Sequence, residues 1–132
     1  MVDRQRYGYM EDLTVELVIT VHTRISEGGG GDSRIISEAN LHQLVFRANL
    51  IPACVPRAAF IFYSLCAYPA FREGNSGTAL AVTEQVLASG GYRITGETTG
   101  IMALAEGILA FTAEPEEIED WLCTNTEKTP VH

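Results

Sequence analysis

Few side chains in this sequence are equipped for chemistry, and most of them are scattered. Histidine occurs at His22, His42 and His132, with no HExxH and no two at a spacing that would place them together on one helix face as metal ligands. His22 follows Val18 and Val21 and reads as a partly buried structural histidine, His42 adjoins a helix start and is expected at the surface, and His132 ends the chain. Cys54, Cys66 and Cys123 are odd in number and widely spaced, which fits neither a disulfide framework nor a CxxC metal pair, so they read as core thiols. The four glycines at 28–31 invite comparison with a phosphate cradle, yet no Gly-Lys-Ser/Thr follows, and a flexible connector is the better reading. What remains is one loop, Pro69-Ala70-Phe71-Arg72-Glu73-Gly74-Asn75-Ser76-Gly77, leading into a helix. Backbone amides left unpaired at a helix start, together with the helix dipole, favour an anion at such a place.

The elements that must position this loop read as helices. Thr14 can cap the first through its hydroxyl, and Leu17, Val18, Val21 and Ile25 recur on one face, so helix one is expected to end near Ile25, before the glycines. Ser37 is a second cap, with Ile36 and Leu41 placed for a hydrophobic staple and Leu44, Val45 and Ala48 continuing the face. Pro52 and Pro56 bracket a connector, and Pro56 can open a central helix over 58–68 that is apolar nearly all round and expected to be almost fully buried. Pro69 ends it. A helix with Thr78, Leu80, Val82 and Val86 follows, closing at Gly90 and Gly91. A fifth, capped by Thr98 or Thr99, carries Ile101, Leu104, Ile108 and Leu109; a sixth opens at Glu114-Pro115-Glu116-Glu117 and carries Ile118, Trp121 and Leu122. Only 92–95 alternates as a strand might, so the fold class is all-α, a compact bundle of six helices.

Composition narrows the function classes. A chain of 132 residues with 46% hydrophobic content builds one domain, here expected to span 1–132 with flexible ends at 1–12 and 124–132. Nine Lys and Arg against seventeen Asp and Glu give a net charge of -8, which repels nucleic acid and anionic membrane surfaces and leaves basic protein partners open. The apolar stretch 58–68 stops far short of the ~20 residues that span a bilayer. The N-terminus, with Asp3, Arg4 and Arg6 and no apolar run, does not resemble a secretory signal, so a cytoplasmic location is expected.

From about residue 13 to residue 122 the order of features resembles the Fic/Doc superfamily, and within it the death-on-curing (Doc) toxins. An opening Leu-Thr-Val-Glu helix, a Gly-rich connector, a short second helix, a central apolar helix, a signature loop and a closing Glu-Glu-Ile-xx-Trp-Leu helix come in that sequence. The family signature is H-x-F-x-[DN]-G-N-[KG]-R-T-A; residues 71–79 fall on its last nine positions and keep Gly74, Asn75, Thr78 and Ala79 after Phe71. The resemblance implies transfer of a phosphoryl or adenylyl group from ATP, with magnesium, to a protein hydroxyl. In that chemistry the histidine is the general base, and the Lys and Arg positions neutralise phosphate charge as the transition state forms.

This chain keeps the frame and departs from it at the reactive positions. Pro69 occupies the histidine position, removing a base that typically contributes ~10²- to 10⁴-fold. Ser76 and Gly77 stand where the cations belong. Glu73 retains a carboxylate that could hold magnesium, one methylene longer than the usual Asp. The candidates for anion or nucleotide binding are therefore Phe71, Arg72, Gly74, Asn75, Ser76 and Gly77, with Glu73 for the metal and no catalytic residue assigned. Tyr68, next to the histidine position, is a conceivable substitute base but reads as a buried aromatic, and Arg72 as a solvated loop arginine. The expectation is a degenerate Doc-like binding module of toxin–antitoxin type, partnered by an antitoxin-like protein or by a second copy of itself. The alternative is an active transferase with a rewired site built on Glu73 and Arg72, or on Tyr68.

Overall fold

The computed structural model of the chain describes residues 10–29 and 33–130. Among these it has six α-helices and one two-stranded sheet. Helix α1, Val15–Gly29, is capped as expected, Thr14 Oγ1 accepting from Leu17 N at 3.1 Å. It does not stop near Ile25: Gly28 and Gly29 form its last turn. A glycine costs a helix ~1 kcal/mol relative to alanine, and the buried stripe of Val18, Val21 and His22 outweighs that cost. Gly30, Gly31 and His132 lie outside the described residues.

Helix α2, Glu38–Asn49, begins at the Ser37 cap, whose Oγ accepts from Asn40 N at 3.1 Å, and buries Leu41, Leu44 and Ala48. Ile36 is left 56% exposed, so the hydrophobic half of the expected staple stays in solvent. Its amide, like that of Ser37, donates instead to Ala70 O.

Helix α3, Cys54–Ala67, is the centre of the molecule, packing against α2 and three later helices, α4 (Asn75–Ser89), α5 (Thr99–Leu109) and α6 (Pro115–Asn125). It opens at Cys54, not at Pro56, because a proline anywhere in the first turn removes only a donor that the helix could not use. Ala58, Ile61, Phe62, Leu65 and Cys66 are buried, whereas Phe60 and Tyr63 are half-buried and Tyr68 is 62% exposed. The expectation of a buried Tyr68 fails because the residue lies past the last turn, at φ -127° and ψ 73°, where the following proline disfavours helix and turns the side chain outward. Arg57 is buried without having been anticipated. Its guanidinium donates to the carbonyls of Ile51 (2.8 Å), Asn49 (3.3 Å) and Glu11 (3.4 Å) and faces Asp12 Oδ1 at 3.6 Å, tying the start of the described chain to the end of α2.

Strands β1, Tyr92–Ile94, and β2, Thr126–Lys128, pair antiparallel with Arg93 opposite Glu127. A purely helical fold therefore needs correcting by this small ribbon, half of which falls in the segment 124–132 expected to be a flexible end. The Arg93 guanidinium bonds Glu127 Oε1 at 2.6 and 3.0 Å across the pair. Helix α5 tolerates Gly100 for a packing reason: a Cβ there would stand 2.5 Å from Trp121 Nε1 on α6. Cys66 is buried as expected, Cys54 is half-buried, and Cys123 is exposed, contrary to its reading as a core thiol. No helix among the described residues is long and apolar enough to cross a membrane.

Candidate functional site

The signature loop runs from the end of α3 to the start of α4 and is held from inside the protein. The connector before α2 runs beside it: Ala70 O accepts from Ile36 N and Ser37 N at 2.7 and 3.1 Å, and Arg72 N donates to Arg34 O at 2.9 Å. Asn40 Nδ2 donates to Pro69 O at 3.0 Å. Phe71 is 1% exposed, with the His22 ring stacked on it at 3.7 Å between centroids and 6° between planes. The same imidazole lies 2.6 Å from Glu73 O through Nε2. A carbonyl only accepts, so Nε2 carries the proton.

His22, 1% exposed on α1, is the structural histidine expected there, buried more deeply than expected and holding the loop from beneath. Its inward position on α1 was readable from the Val18, Val21 and Ile25 spacing, but its partner 51 positions away was not. Gly74 explains itself in the same contact. It sits at φ 77° as the N-cap of α4, and a Cβ would reach 3.4 Å from His22 Nε2.

The candidate ligand-binding residues do not converge on a pocket. Phe71 belongs to the core. Asn75 has both ends of its amide engaged, Oδ1 accepting from Phe71 N at 3.1 Å and Nδ2 donating to Phe71 O at 2.8 Å, so it closes the loop on itself. Ser76 hydrogen-bonds inward to Cys66, a contact that lowers the thiol pKa, but burial dominates and pushes that thiol up to about 11. Gly77 faces Ile25, whose Cγ2 would lie 3.7 Å from a Cβ there. Arg72 and Glu73 are exposed at the loop tip. The one carboxylate and the one cation of the loop thus lie exposed at its tip, while Ser76 and Gly77, where the resemblance would place cations, are half-buried.

This donor set does not suit a magnesium nucleotide. The asparagine amide is taken by the backbone, no cation stands at Ser76 or Gly77, and no group of three or more His, Cys, Asp or Glu among the described residues could hold a metal ion. Thr78, one of the retained signature letters, is fully buried and its Oγ1 has no hydrogen-bond partner. It too serves packing.

A cavity lies next door among the described residues. A groove of about 780 Å³ lies between α2, α3 and α6, floored by Phe60 and Tyr63 and walled by Arg47 on one side and Glu116, Glu119 and Asp120 on the other. Asn40 lines it while bonding Pro69 O, and Tyr68 closes that end, so the groove abuts the position where the signature has its histidine. Partial burial, then the fields of Tyr68, Glu114 and Glu116, push the Tyr63 phenol above its ordinary value. In the sequence Glu114 and Glu116 are dipole-favoured residues at a helix start, and the tyrosine they face, on another helix, is set by packing alone. Compared with known proteins, the chain matches no family model and no curated protein.

Proposed function

We propose that this chain is a Doc-like protein of the Fic/Doc superfamily whose signature loop has lost its chemistry, acting in the cytoplasm as a binding module of toxin–antitoxin type. The observation that carries this reading is Pro69 at the histidine position of an otherwise ordered motif. A proline ring can neither take nor give a proton, and the helical frame and the retained Gly74, Asn75, Thr78 and Ala79 accord with a loop preserved as scaffold. An antitoxin-like protein is the partner this reading implies.

A second reading, an active phosphotransferase or adenylyltransferase with a rewired site, draws on one observation: Tyr68 is exposed beside Pro69 rather than buried. Incubation with bacterial lysate and ATP labelled at the α- or γ-phosphate decides between the two. The degenerate reading expects no label on any protein with either isotope; robust transfer by the unmodified chain overturns it.

A further inference from the structure

We infer that the outer face of α5, with Phe111 at its end, is a contact surface for a partner protein that brings an apolar helix edged with Lys or Arg. The inference goes beyond the reading of the signature loop, because no residue of α5 belongs to that loop or lines the groove beside it. A helix on a protein surface ordinarily buries one apolar stripe and shows polar side chains to water. Helix α5 buries Ile101, Ala105 and Ile108, at relative positions 0, 4 and 7, and packs on α3, α4 and α6. Its other side is nearly as apolar. Met102 is half-buried, Ala103, Leu109 and Ala110 are exposed, and Glu106 is the one charged residue between Thr99 and Leu109. These five stand at relative positions 0, 1, 7, 8 and 4, on one face. Ala103 and Ala110, two turns apart with nothing beyond Cβ, let a second helix approach closely. Phe111 is the residue that the fold itself does not call for. Its φ of 61° suits glycine, and a ring that is 95% exposed gains little from its own chain. An aromatic ring held in solvent in a strained conformation, beside a Leu109 that is 59% exposed, is suited to anchor a contact between proteins.

The partner's charge follows from where the acids lie. Between Arg93 and Lys128 there is no lysine or arginine, and eight of the seventeen acids fall there; the other nine acids are matched in number by the nine cations, all outside that stretch. The net charge of -8 therefore belongs to the part of the chain that carries α5 and α6. Glu106 lies on the face itself, Glu97 just before α5, and Glu114 and Glu117 just after Phe111. A second copy docked on the same face would set these carboxylates against their own duplicates. Nucleic acid and anionic bilayers are repelled for the same reason. A basic protein surface is attracted to the face, and the apolar strip gives it area to bury once there.

The test uses the full chain labelled with ¹⁵N and two synthetic peptides of about four helical turns. Both carry Leu at i, i+3, i+4 and i+7; one has Lys and the other Glu along both edges of that stripe. The Lys peptide is expected to shift the amides of Met102, Glu106, Leu109 and Phe111 in a saturable way and to leave those of Phe60 and Tyr63 in place. The Glu peptide should bind about tenfold or more weakly. Phe111→Gly separates binding from folding: it should raise the melting temperature and yet weaken the Lys peptide about tenfold or more. Glu106→Lys should move the preference toward the Glu peptide without changing the far-ultraviolet circular dichroism. Equal affinity for the two peptides, shifts confined to the groove, no shifts with the Lys peptide, or a Phe111→Gly variant that binds as tightly as the parent overturns the proposal. A homodimer that Phe111→Gly dissolves would assign the face to a second copy and overturns it too.

Discussion

His22 and Asn75 between them account for the conformation of the signature loop, one from α1 and one from within. The imidazole stacks on Phe71 and donates to Glu73 O, and the amide clasps both backbone groups of Phe71. Removing the ring by His22→Ala opens a cavity beside a fully buried phenylalanine and frees a carbonyl. Urea unfolding should show a loss of about 2–4 kcal/mol, and a loss under 1 kcal/mol would mean that the loop holds without it. The Cys66 thiol gives a pH dependence whose sign is fixed. Its pKa is 9.0 as a free group and about 11 in the fold, so between those values the folded state binds the extra proton. Its contribution is fully present below pH 9 and is lost as pH rises toward 11. Melting temperature should fall across that window, and Cys66→Ala should flatten the fall. An unchanged slope in the variant would assign the loss to another group.

At the scale of elements, what was legible was what local chemistry decides. The Thr14 and Ser37 caps, the Glu114-Pro115 start and the terminator Pro69 each act within one turn, and each lies where the spacing put it. The extension of α1 into Gly28 and Gly29, the pairing of β1 with β2 and the outward turn of Tyr68 depend on distant neighbours and were not legible. The alternation over 92–95 announced β1, but its three-residue partner β2 is too short for a period of two to show, and the pairing itself spans 34 positions. The end of α5 shows a local conflict that the sequence hides: Phe111 adopts φ 61°, the left-handed conformation that usually belongs to glycine, and is 95% exposed. Phe111→Gly should therefore raise stability by about 0.5–1 kcal/mol in urea titrations, since little packing is lost. A destabilisation would show that the ring makes a contact its exposure conceals.

For the whole molecule, composition and periodicity pointed to one acidic helical domain, and the six helices of the described residues, α3 at their centre, agree with the helical part of that expectation. The candidate loop was legible as a motif because its residues are contiguous. The groove was not, because its lining comes from three helices that only the packing brings together. A basic partner held on the outer face of α5 should associate more slowly as salt is added, since the Debye length shrinks from ~30 Å at 0.01 M to ~8 Å at 0.15 M and attraction to the carboxylates around that face shrinks with it. Stopped-flow rates that ignore ionic strength would argue for a purely apolar contact. The central claim, that the loop is scaffold and not a nucleotide site, is tested most directly by titrating the ¹⁵N-labelled chain with ATP and magnesium. The amides of Gly74, Asn75, Ser76 and Gly77 should stay where they are up to millimolar nucleotide; saturable shifts at those four amides would contradict the account.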